Sequence, residues 1–73
     1  MDTIKMKHSE RINLQNAINV MIYVKNIAEW GRDKVPKKTI VSERIIKTIN
    51  KTIKIFEEEI KETEEILKNT EEE

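Results

Sequence analysis

The chain has 73 residues, among them one glycine, one proline, one histidine and no cysteine, and its 14 basic and 14 acidic residues give a formal net charge of zero. A chain of this length holds at most one domain with a marginal core. The lack of cysteine excludes disulfide staples and thiolate zinc sites, so association with another chain is the expected source of additional stability.

The zero net charge hides an asymmetry. Residues 1–56 carry twelve Lys and Arg against five acids, whereas residues 57–73 carry nine Glu against Lys61 and Lys68. The chain has a basic body and an acidic end, a dipole along its own sequence.

Residues 1–8 contain no apolar leader-like run, and no stretch approaches the roughly 18 uncharged apolar residues that a membrane span requires. We expect a soluble, cytoplasmic chain without membrane contact. Ser9 is a suitable N-cap for a first helix over about residues 9–30. In that helix Leu14, Ala17, Met21, Val24 and Ala28 recur at alternating spacings of 3 and 4, with Ile18 beside them, as the seam of a helix pair does. Residues 20–24 read locally as a strand, but the heptad runs through them without a turn signal on either side.

The same helix carries a second stripe. Ile12, Asn16, Asn19, Tyr23, Asn26 or Ile27, and Trp30 also recur at 3 and 4, and at about 100° per residue they lie roughly opposite the first seam. A helix apolar on both sides sits between two neighbours, and a hairpin supplies only one. Ile12, Asn16, Asn19, Tyr23, Ile27 and Trp30 are therefore candidates for a protein interface, where Tyr and Trp bury much area at small entropic cost. The plainer alternative is that Trp30 folds over the turn and the Asn side chains face water.

Gly31 and Pro36 bracket the only punctuation in the chain. Read as a C-terminal glycine and a first-turn proline, they predict a turn over residues 31–36 and a second helix over about 36–70. Ile46, Ile49, Ile53, Phe56, Ile60, Thr63 and Leu67 give that helix an unbroken 3, 4 heptad seam. Residues 71–73 are expected to fray. With these bounds the second helix outruns the first by roughly 15–18 Å at 1.5 Å per residue, leaving Ile60, Ile66 and Leu67 to be covered by Ile4 and Met6 folding back or by another chain.

A third stripe, Arg44, Lys47, Lys51 and Lys54, runs along the back of the second helix, with Arg32, Lys34, Lys37 and Lys38 near the turn. Such a ladder can track phosphates. It also reads as the solvated back of an amphipathic helix, and it continues into Glu58, Glu62 and Glu65, which repel nucleic acid.

No catalytic constellation, cofactor motif or metal-ligand spacing is present. His8 beside Ser9 and Glu10 forms no triad, the Glu-x-x-His pairing of carboxylate-bridged metal bundles is missing, and phosphate-cradling glycines and calcium loops are absent. The expected fold is all-α, an antiparallel hairpin of two long helices that assembles as a homodimeric four-helix bundle or coiled coil. In layout it resembles in outline many small bacterial and phage regulators, a resemblance of architecture that carries no motif. The expected role is a non-enzymatic protein-interaction module, a regulator or inhibitor of another protein. The alternative is a small nucleic-acid-binding regulator that uses Arg44, Lys47, Lys51 and Lys54.

Overall fold

The computed structural model describes residues 3–36 and 39–72. They form, in order, strand β1 (Ile4–Met6), helix α1 (His8–Lys34), helix α2 (Ile40–Lys68) and strand β2 (Thr70–Glu72). The two helices pack against each other as the expected hairpin. Their Cα atoms fill a slab of 54 × 22 × 11 Å, a single layer of helices.

Both ends of α1 differ from the sequence expectation. The N-cap is Lys7, in extended conformation, and its N–H donates to Glu10 Oε1 at 3.3 Å, which is the returning half of a capping box. Ser9 lies inside the first turn. At the other end α1 runs through Gly31 to Lys34 and stops at Val35, with φ −69° and ψ 126°. The cause is Pro36, whose ring drives the preceding residue out of the α region. Gly31 thus caps nothing, and Pro36 ends α1 rather than opening α2. Lys37 and Lys38, expected beside the turn, lie outside the described residues, as does Glu73 of the expected frayed tail.

Thr39 caps α2, its hydroxyl accepting the Ser42 N–H at 3.1 Å. The helices are therefore 27 and 29 residues long, a difference of roughly 3 Å at the helical rise. The expected overhang is largely absent. The N-terminal segment does fold back: β1 pairs in parallel with β2, Ile4 opposite Thr70 and Met6 opposite Glu72, and the Ile4 N–H donates to the Asn69 carbonyl at 3.0 Å. Glu71 and Glu72 are thereby held in a strand.

The α2 seam lies where the spacing places it. Ile53 and Ile60 are buried, and Ile46, Ile49, Phe56, Thr63 and Leu67 are half-buried. The α1 seam keeps Leu14, Met21 and Ala28 but is turned by about half a residue, roughly 50°. Ile18 is its most buried residue, at 2 % exposure, while Ala17 and Val24 are exposed. The line facing α2 is Arg11, Leu14, Ile18, Met21, Lys25, Ala28 and Arg32, again spaced 3 and 4. This rotation brings the larger Ile18 rather than Ala17 against α2, and the aliphatic stems of Arg and Lys extend the seam. Three isoleucines, Ile18, Ile53 and Ile60, are the apolar side chains buried among the described residues. At roughly 1.5–3 kcal/mol for each fully buried side chain, this is a thin core for an isolated hairpin.

Candidate functional site

The outer stripe of α1 is positioned by the seam behind it. With Ile18 and Lys25 turned toward α2, the residues half a turn away face outward. Tyr23 is 67 % exposed and Trp30 66 %, with Ile27 and Ile12 at 50 % and 45 %. Asn16, Asn19 and Asn26 are exposed as well, and the Gln15 side-chain amide donates to Asn19 Oδ1 at 3.1 Å. The Trp30 ring carries the Lys34 ammonium 5.7 Å from the centroid, a cation–π contact on the outer side of α1.

Arg44, Lys47, Lys51 and Lys54 are exposed on α2, and Glu58, Glu62 and Glu65 continue the same outward line. Near the turn, Arg32 reaches across the seam and its Nη1 donates to Asn50 Oδ1 at 2.9 Å, with Asp33 beside its Nε at 3.4 Å. Arg32 is thus a strut between the helices. Its side chain is tied down on both sides, unlike a free phosphate ligand.

The hairpin's open end holds a polar cluster that sequence reading did not assemble. The His8 ring donates through Nδ1 to Glu72 Oε1 at 2.5 Å. Arg11 donates through Nε to Thr70 Oγ1 at 3.1 Å and through Nη1 to Glu72 at 3.4 Å. The hydrogen bond from His8, its charge and then the Arg11 guanidinium hold the Glu72 carboxyl below the ordinary glutamate value. Buried Thr70 completes the network by donating to the Leu67 carbonyl at 2.7 Å. These partners are 59 to 64 residues apart in the chain, so no local motif announces them. His8 keeps a side-chain exposure of 69 %, and the cluster fastens the two ends of the chain.

Among the described residues, no group of three or more His, Cys, Asp or Glu comes close enough to hold a metal ion, and no helix is long and apolar enough to cross a membrane. No family model, no curated protein and no solved structure matches the chain. Any functional reading therefore rests on the surfaces themselves.

Proposed function

We propose that the protein is a non-enzymatic interaction module, a helical hairpin that associates as a homodimeric four-helix bundle and docks another protein on the outer stripe of α1, as a regulator or inhibitor of that partner. One observation carries the docking surface: Tyr23 and Trp30, with Ile12 and Ile27, stand exposed on the side of α1 turned away from the hairpin's own seam. Monomeric soluble proteins seldom expose such an aromatic and aliphatic group as one stripe, and large exposed patches mark interaction sites. Asn16, Asn19 and Asn26 supply the adaptable polar contacts that interleave with apolar anchors at interfaces. The thin core supports the dimer, because a second hairpin adds the burial that one hairpin lacks.

The test is recovery of a bound protein from the native cell on the tagged full chain and on a Tyr23→Ala/Trp30→Ala variant of unchanged helicity. A protein held by the first and lost from the second is the expected result. Equal recovery on both, or none on either, overturns the reading. Trp30 is the sole tryptophan, so a blue shift of its emission on adding the recovered protein reports docking at the stripe directly.

A second reading, a nucleic-acid-binding regulator, is favoured by one observation, the exposed line Arg44, Lys47, Lys51 and Lys54. Phosphate contacts by these side chains give binding that falls steeply with salt and is abolished in a Lys47→Glu/Lys51→Glu/Lys54→Glu variant. Anisotropy of labelled duplex and single-stranded oligonucleotides separates the two readings.

A further inference from the structure

In an antiparallel helix pair the two chains wind in opposite senses when viewed down the common axis. Residues that immediately precede the seam residues Ile18, Lys25 and Arg32 on α1 therefore share a broad side of the slab with those that precede Ile46 and Ile53 on α2. On this side the inner rows read Ala17, Val24 and Gly31 on α1 and Ile45 and Thr52 on α2, and toward the open end the same rows continue into Glu10 and Glu59. The rows just outside them add Val20, then Val41, Thr48 and Ile55. Glu10 and Glu59 aside, not one of these nine residues is charged. The opposite broad side holds Glu29 and Asp33 on α1 and Glu43, Lys47, Lys54, Glu57 and Lys61 on α2.

The uncharged side is also open. Val41 is 62 % exposed, Val20 60 %, Ile55 59 % and Ile45 44 %. A Cβ added to Gly31 meets nothing within 4 Å. The two threonines turn their polar atoms inward: Thr48 Oγ1 donates to the Arg44 carbonyl at 3.0 Å and Thr52 Oγ1 to the Thr48 carbonyl at 3.1 Å. With both hydroxyls bonded to the helix's own backbone, these two nominally polar residues present no unmet donor there.

Charges at the two ends of this face select its occupant. At the turn end its rim is basic, with Arg44 lining a shallow groove beside Val41, Ile45 and Thr48. Toward the open end it is acidic, with Glu10 on α1 and Glu59 and Glu62 on α2. A second copy laid face to face and antiparallel brings each basic rim onto the other's acidic rim; a parallel copy sets like charge against like. Such a contact is isologous, closes by two-fold symmetry and uses one patch twice. A stable interface takes about 800 Å² from each partner, roughly two thirds of the broad side of a slab 54 × 22 Å across.

We infer that this uncharged broad side, and not the Tyr23 and Trp30 stripe, is the self-association surface, occupied by an antiparallel second copy. The assignment rests on the homodimer proposed above and leaves the aromatic stripe of each copy facing outward, two docking sites per dimer.

The experiment is solution mass by light scattering, with circular dichroism as the check on folding. Wild type is expected at twice 8.7 kDa and Val20→Lys/Ile55→Lys at 8.7 kDa with helicity retained, while Glu57→Lys on the opposite broad side keeps the dimer mass. Arg44→Glu and Glu62→Arg each weaken the dimer by roughly tenfold, and combining them restores it, since the reversed charges meet across the two-fold axis. A wild-type monomer overturns the homodimer itself. A wild-type dimer that ignores Val20→Lys/Ile55→Lys, or that Tyr23→Ala/Trp30→Ala dissociates, overturns this assignment alone. If the lysine pair unfolds the hairpin, the charge swap decides: failure of the combined variant to restore the dimer overturns the antiparallel pairing.

Discussion

Arg11 and Thr70 tie the start of α1 to the strand that follows α2: the guanidinium donates from Nε to the threonine hydroxyl at 3.1 Å, and that hydroxyl donates onward to the Leu67 carbonyl at 2.7 Å. Thr70 is 7 % exposed, so the hydroxyl at the centre of the relay is shielded from water. A two-stranded ribbon is marginal alone, and this relay fixes β2 where β1 can pair with it.

Replacing Thr70 with Val keeps the volume and removes the hydroxyl, leaving Arg11 Nε without its partner. We expect a loss of about 1–3 kcal/mol, the cost of an unmet charged donor. Amide exchange resolved by residue checks where the loss falls: the Ile4 N–H, bonded to the Asn69 carbonyl, loses protection before the α1–α2 seam does.

Glu72 gives the open end a pH dependence. Its carboxyl titrates below the ordinary glutamate value of 4.5 because His8 donates to it and adds its charge, with Arg11 contributing. A depressed folded-state value means that the stabilisation is fully present above the unfolded value and is lost as pH falls through the folded one. The ribbon is therefore expected to open in acid, below about the ordinary glutamate range. A Glu72→Gln variant lacks that acid limb, and exchange rates of the Ile4 amide followed against pH distinguish the two.

The seam and the outer stripe respond oppositely to truncation. Ile53→Ala removes most of a side chain that is 5 % exposed, and is expected to cost about 2–5 kcal/mol, enough to unfold most of the hairpin. Trp30→Ala, at a site 66 % exposed, is expected to shift the melting curve by less than about 0.5 kcal/mol. Thermal melts followed by circular dichroism compare them.

Gly31 lies within α1, with open space where a Cβ stands in other residues. Gly31→Ala is expected to stabilise the hairpin by up to about 1 kcal/mol through helix propensity. A melt at concentrations where the chain is monomeric is the measurement, since Gly31 sits on the broad side assigned to self-association. Thr39→Ala removes the α2 cap and is expected to cost about 1 kcal/mol.

The α2 seam was legible because every one of its positions from Ile46 to Leu67 is apolar or threonine, and a heptad without interruption admits a single phase. On α1 apolar residues surround most of the helix, so periodicity offered two adjacent phases, one through Ala17 and Val24 and one through Ile18 and Lys25. Hydropathy favours the first. Packing chose the second, because Ile18 fills space that Ala17 cannot, and because the stem of Lys25 lies along the seam with its ammonium 3.6 Å from Glu29. The outward position of Tyr23 and Trp30 survived the change, since Leu14, Met21 and Ala28 stay on the seam in both phases and the helix turns by only about 50°.

The amino-acid order alone determined two long helical runs on either side of a single turn, and the antiparallel sense that a short connection imposes. Tertiary structure decided the rest. The pairing of Ile4–Met6 with Thr70–Glu72, and the bonds from His8 and Arg11 that hold it, join residues about sixty positions apart, a distance over which no local periodicity carries a signal. The uncharged broad side exists only once two helices lie antiparallel in one layer, because its two halves come from opposite flanks of the turn.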